Sequence, residues 1–149
     1  MADQRTPTPG EIVIMASGVV ALIFSFFDFF GSDFGGGRSA WGSGFFPIAT
    51  LMVIFVVVMA AQIALTKLAG VALPDLPAGF TWEQVHLALG FFAALYALAW
   101  LIVDAGGLDR KVGFWLIFVS CIAAFVGAIL LQRERAAAGP GRPGGGPTV

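Results

Sequence analysis

Charge is what this chain has least of. Charged residues are 11% of its 149, against roughly a quarter in soluble domains, while hydrophobic residues are 58%. A soluble fold of this length could not hide so much apolar surface, whereas a bilayer accommodates it. Cysteine is nearly absent: Cys121 alone excludes an internal disulfide and a cysteine metal cage. One histidine, His86, excludes a multi-histidine metal site within one protomer. A net charge of −1 leaves no broad basic surface, so nucleic acid is not an expected partner. Neither GxxxxGK[ST] nor GxGxxG occurs, so the glycine-rich loop GSDFGGGRSAWGSG reads as a flexible connection and not a phosphate cradle. With no Ser/His/Asp arrangement, paired embedded carboxylates or metal-ligand set, no enzyme and no cofactor are expected.

What is present is four apolar runs, over about 11–30, 46–68, 82–103 and 112–131. A run of about 20 residues rises roughly 30 Å as a helix, the thickness of the hydrocarbon core. The first run is too long and lacks the small-residue site of a cleaved signal peptide, so it reads as a retained helix. Pro47 suits the first turn of the second helix. Thr81 with Gln84 makes a capping box for the third, with Glu83 in its first turn. Residues 1–10, with Pro7 and Pro9, read as a disordered arm, and 132–149 as a disordered Gly/Pro-rich tail. The expected fold is all-α, four transmembrane helices in two hairpins making one domain over 11–131.

Four spans place both termini on one side. That side collects Arg5, Lys67, Arg133, Arg135 and Arg142 against Arg38, Arg110 and Lys111 opposite, which favours cytoplasmic termini. Trp41, Trp82, Trp100 and Trp115 fall near span ends, as an aromatic belt requires. The halves also resemble one another. Glu11, Gly18 and Ala21 match Glu83, Gly90 and Ala93 at one offset, and Asp33, Gly35 and Gly36 match Asp104, Gly106 and Gly107 at another. This pattern fits a parallel two-plus-two repeat, with chance alignment of apolar segments the alternative.

Small and polar residues recur at helical spacing: Ser17, Ala21 and Ser25 in the first run, Gly90, Ala94 and Ala97 in the third, Ser120, Ala124 and Gly127 in the fourth. Such faces pack helices closely, or form a polar path between them. Asp28 falls near the far end of the first run, where the helix dipole disfavours an anion, so Arg38 or the Arg110–Lys111 pair is expected beside it. It is either a structural staple or an intramembrane functional carboxylate. Glu11, Gln62, Glu83 and His86 should lie at one depth near the other interface and could form a polar cluster. Within it His86 is either hydrogen-bonded to a glutamate or a titrating site. Cys121 reads as a buried small apolar residue.

The stretches GEIVIMASG, SAWGSGFFPIATL, FTWEQVHLALGF and GLDRKVGFWL resemble small four-span membrane proteins of actinobacteria, over nearly all of residues 10–134. That resemblance implies a multi-pass protein of the bacterial cytoplasmic (inner) membrane and carries no activity with it. The expected role is a non-catalytic accessory or assembly subunit acting through helix–helix contacts, as a homo-oligomer or with other membrane proteins. The alternative is an oligomeric transporter or channel component using Asp28 or the His86 cluster.

Overall fold

The computed structural model of the chain describes residues 6–32, 35–42, 47–103 and 107–138. These are helical in class: α1 Pro9–Phe24, α2 Ile48–Lys67, α3 Trp82–Ile102 and α4 Val112–Ala138. Three of the four, α2, α3 and α4, are long and apolar enough to cross a membrane, while α1 is apolar but only 16 residues long.

α1 begins earlier than the proline content suggests. Thr8 is its N-cap, accepting from Glu11 N–H, while the Glu11 carboxylate accepts from Thr8 N–H at 2.8 Å. Pro9 sits in the first turn, where a missing N–H costs nothing and a fixed φ helps. The arm read as disordered over 1–10 therefore ends in a capping box, and its first five residues lie outside the described ones.

The same helix stops sooner than hydropathy indicates, at Phe24 and not near residue 30. Ser25 is its C-cap, and its hydroxyl donates to Leu22 C=O at 2.7 Å while accepting from Trp41 Nε1 at 2.9 Å. Ala40 N–H then bonds Ser25 C=O at 3.2 Å, and Thr50 Oγ1 bonds Ala40 C=O at 2.9 Å. The loop after β2 is thereby tied to the end of α1 and the start of α2. Phe29 and Phe30 leave the helical path and turn inward, 0% and 1% exposed.

Three short strands cover this end: β1 Phe30–Ser32, β2 Gly35–Arg38 and β3 Asp109–Arg110, in the order β2-β1-β3, all antiparallel. Part of the glycine loop expected to be flexible is thus a strand paired with β1, and the turn between α3 and α4 is paired with β1 as well. Asp33, Asp104 and Gly106, three of the matched residues of the repeat, lie outside the described residues.

α2 and α3 keep close to their expected bounds, with Pro47 at the N-cap of α2 and the Thr81–Gln84 capping box formed at α3. α4 runs seven residues past the membrane-length run, through QRERAAA, so the tail read as disordered over 132–149 is helical to Ala138. Those are strong helix formers, and water outside the bilayer does not end a helix.

Each helix packs on two main neighbours, α1 on α2 and α4, α3 on α2 and α4, and the most extensive contact joins α1 to α4. Two glycines allow it. A Cβ at Gly127 would meet Gly10 C=O at 3.0 Å, and one at Gly10 would meet Gly127 C=O at 2.9 Å. The core between the helices holds Ile14, Met52, Val56, Met59, Ile117 and Cys121.

Candidate functional site

The polar cluster assembles where α1 and α3 begin and α2 and α4 end. The first-turn carboxylate of α1 reaches across to the last turn of α2, with Glu11 Oε1 3.2 Å from Lys67 Nζ. The first-turn carboxylate of α3 does the same to α4, through an ion pair between Glu83 and Arg135. Each anion sits where a helix N-terminus favours it, and each cation where a C-terminus does. The two pairs repeat one device in the two halves of the chain. Glu134 Oε1 adds a third link, accepting from Gly10 N–H at 3.1 Å.

Between these pairs lies a cavity of about 270 Å³ lined by Glu11, Gln62, Thr66, Lys67, Glu83 and His86, with Trp82 and apolar residues completing the wall. All four residues expected to share this depth line it. His86 is buried, 4% exposed, and neither ring nitrogen has a hydrogen-bond partner among the described residues. The buried Gln62 Oε1 is likewise unpartnered. The glutamates expected to hold the histidine are engaged elsewhere, by Lys67, Arg135 and the two helix caps. Most buried polar atoms in folded proteins have partners, protein or ordered water, so two side chains without protein partners on one cavity wall make that wall the candidate binding surface for water or a ligand.

Thr66, Lys67 and Trp82 were not singled out from the sequence as neighbours of His86. Thr66 lies one helical turn beyond Gln62 and therefore on its face, which was the available signal. Its hydroxyl donates back to Ile63 C=O at 2.9 Å and Gln62 C=O at 3.1 Å, so it offers the cavity no free proton.

The other end differs in kind. Asp28 is exposed, in the connection between α1 and β1, because α1 has already stopped; it is not a helical carboxylate within a span. Its backbone carbonyl accepts from Gly113 N–H at 3.1 Å, and a Cβ at Gly113 would come within 2.7 Å of that oxygen. Arg38 lies exposed at the end of β2, opposite Phe30. Arg110, offered as a counter-charge for Asp28, points instead at the C-terminus of α3. Its Nη2 donates to Leu101 C=O at 2.8 Å, Val103 C=O at 3.0 Å and Trp100 C=O at 3.4 Å. The guanidinium also lies 5.6 Å from the Phe114 ring centroid and 6.0 Å from that of Phe30. Those rings pack with Phe29 and Trp100, centroids 5.0–6.0 Å apart, the tilted and edge-on geometry that aromatic quadrupoles prefer.

The nine small and polar residues read as packing positions are all buried inside the chain. Ser17 and Ser120 each donate to the carbonyl four residues earlier, at 2.7 Å. With their protons spent within their own helices, these hydroxyls build no continuous polar path. Comparison of the chain with protein-family models, with curated proteins and with solved structures finds no match.

Proposed function

We propose that the chain is a four-span protein of the bacterial cytoplasmic membrane, with both termini cytoplasmic, acting as a non-catalytic accessory or assembly subunit by docking a helix of another membrane protein. The four-span reading draws support from where α1 starts and ends. Gly10 packs beside Leu131 and the chain just past α1 reaches Gly113, so residues 10–28 travel the length of α4 between those points, roughly 27 Å. Lys67, Arg133 and Arg135 gather at the end where α1 begins, which favours that side as cytoplasmic.

The observation that carries the docking reading is an outward apolar groove of about 290 Å³ between α1 and α2, walled by Met15, Val19, Leu22, Val57, Ala61 and Ala64. The small-residue stripes are consumed inside the chain, and Ala60 is buried against Gly18, yet Ala61, exposed, and Ala64, half-buried, leave small side chains facing outward along this groove. Lipid gives helices no hydrophobic reason to associate, so such edges serve close helix packing. A photo-crosslinking residue at Ala61 in native membranes is expected to trap one defined membrane protein. The same group at Leu98, on the exposed face of α3, is expected to trap none, and Ala61→Phe should abolish co-purification. An adduct of twice the chain's mass would replace the partner by a second copy. Lipid adducts alone, with a monodisperse monomer, would overturn the reading.

A further inference from the structure

Among the unpartnered buried atoms that line the cavity beside His86, acceptors outnumber donors. Glu11 Oε2 is taken by Thr8 N–H and its Oε1 by Lys67, and the Thr66 proton goes to α2 carbonyls. What remains is Gln62 Oε1, a pure acceptor, and the two His86 ring nitrogens, of which a neutral imidazole offers one acceptor and one donor. The lining is also electrostatically biased. Glu11 and Glu83 both face the space, each with its own cation, but only Lys67 shares the lining, because Arg135 meets Glu83 from outside it and its side chain is 59% exposed. An anion would lie against two carboxylates. A cation rich in N–H donors would find two buried acceptors, two carboxylates and Trp82 in the same wall. The volume suits a small head group with a few waters, each water needing about 30 Å³. No group of three or more His, Cys, Asp or Glu suited to a metal ion occurs among the described residues.

We propose that this cavity binds a primary ammonium group, with Gln62 Oε1 and an imidazole nitrogen of His86 accepting its N–H protons, and Glu11 and Glu83 supplying counter-charge. The same chemistry is offered by a free small amine and by the ethanolamine head group of a lipid. The proposal is independent of the partner-docking groove, which lies on another face.

Because His86 is the chain's one histidine, its ring ¹⁵N resonances report the site without assignment ambiguity. In full-length protein purified in lipid-free detergent, methylammonium chloride is expected to shift them saturably. Tetramethylammonium, a cation without N–H, and sodium acetate should not. Gln62→Leu should weaken methylammonium binding about tenfold, the loss of one hydrogen bond to a charged group. Gln62→Lys, which places an ammonium in the cavity, should shift the imidazole signals without ligand and remove the titration. In nanodiscs of phosphatidylethanolamine, imidazole signals already shifted and insensitive to methylammonium would assign the site to lipid. Unshifted signals that still titrate would assign it to a free amine. No saturable shift with methylammonium, or an equal response to tetramethylammonium or acetate, would overturn the proposal whether or not either variant folds.

Discussion

The two ends of the helices bury polar groups in opposite ways. At the sheet end one charge, Arg110, gives its Nη2 to three carbonyls of α3 and sets its guanidinium against two buried rings, with its buried Nε left unpartnered. At the other end a buried imidazole and amide oxygen are left with nothing in the chain to bond, beside a cavity. A helix C-terminus has four orphan carbonyls, and a cation aimed at them is consumed by the fold. His86, in α3's second turn, faces a cavity and has no such carbonyls to meet. The difference separates architecture from site: a side chain whose charge is met by carbonyls of the fold is a staple, and one whose unmet atoms line a cavity is a candidate for a ligand.

The comparison breaks if Arg110 proves dispensable. Arg110→Leu removes the carbonyl contacts and the cation over Phe30 and Phe114 together. Because part of the side chain is open to solvent, the expected cost is about 2 kcal/mol, at the lower end for hydrogen bonds to charged groups plus one cation–π contact. Unfolding by SDS titration in mixed micelles checks it, and a midpoint equal to wild type would mean that this end is held by its rings alone.

A smaller effect tests the loop that ends α1. Trp41→Phe keeps the stack on Phe26, whose ring centroid is 5.9 Å away, and loses the Nε1 bond to Ser25. Trp41 is 41% exposed, so water replaces part of what is lost, and about 1 kcal/mol or less is expected. Faster amide exchange at Phe24–Phe27 should accompany it, since Ser25 would then close the helix without its outside partner.

Much of this was legible beforehand, and the failures share a cause. Runs of apolar residues locate membrane-length segments, and α2 and α3 follow them nearly to the residue. Hydropathy measures the solvent a residue prefers, however, not its backbone. Phe26–Phe30 holds four phenylalanines, but aromatic residues suit strands as readily as helices, and all five residues lie beyond the end of α1. Placing Asp28 by depth along an assumed helix therefore failed with the helix. QRERAAA failed in reverse, being polar and still helical. In the arm, Thr8-Pro9-Gly10-Glu11 carries the spacing that marks Thr81-Trp82-Glu83-Gln84, but prolines were read as breakers where the first turn tolerates them. Counting depth along real helices succeeded: Glu11, Gln62, Glu83 and His86 line one cavity. What counting could not foresee is that both glutamates would be claimed by cations, leaving the histidine unmet.

That last point supplies the smallest expected change and the one of opposite sign. His86→Leu replaces a buried side chain with two unpartnered nitrogens by an apolar one of comparable length. Removing one member of a hydrogen-bonded pair strands the other, but here no partner within the described chain is stranded. In lipid-free detergent the variant should be as stable as wild type or more stable by about 1 kcal/mol, measured by the same SDS titration. A loss of 2 kcal/mol or more would show that His86 is bonded within the fold after all, and the contrast with Arg110 would vanish. If stability is kept, the imidazole is retained at a buried position where leucine would serve the fold equally well. The two ends then differ as the geometry implies, one polar group holding the chain together and the other held in readiness by it.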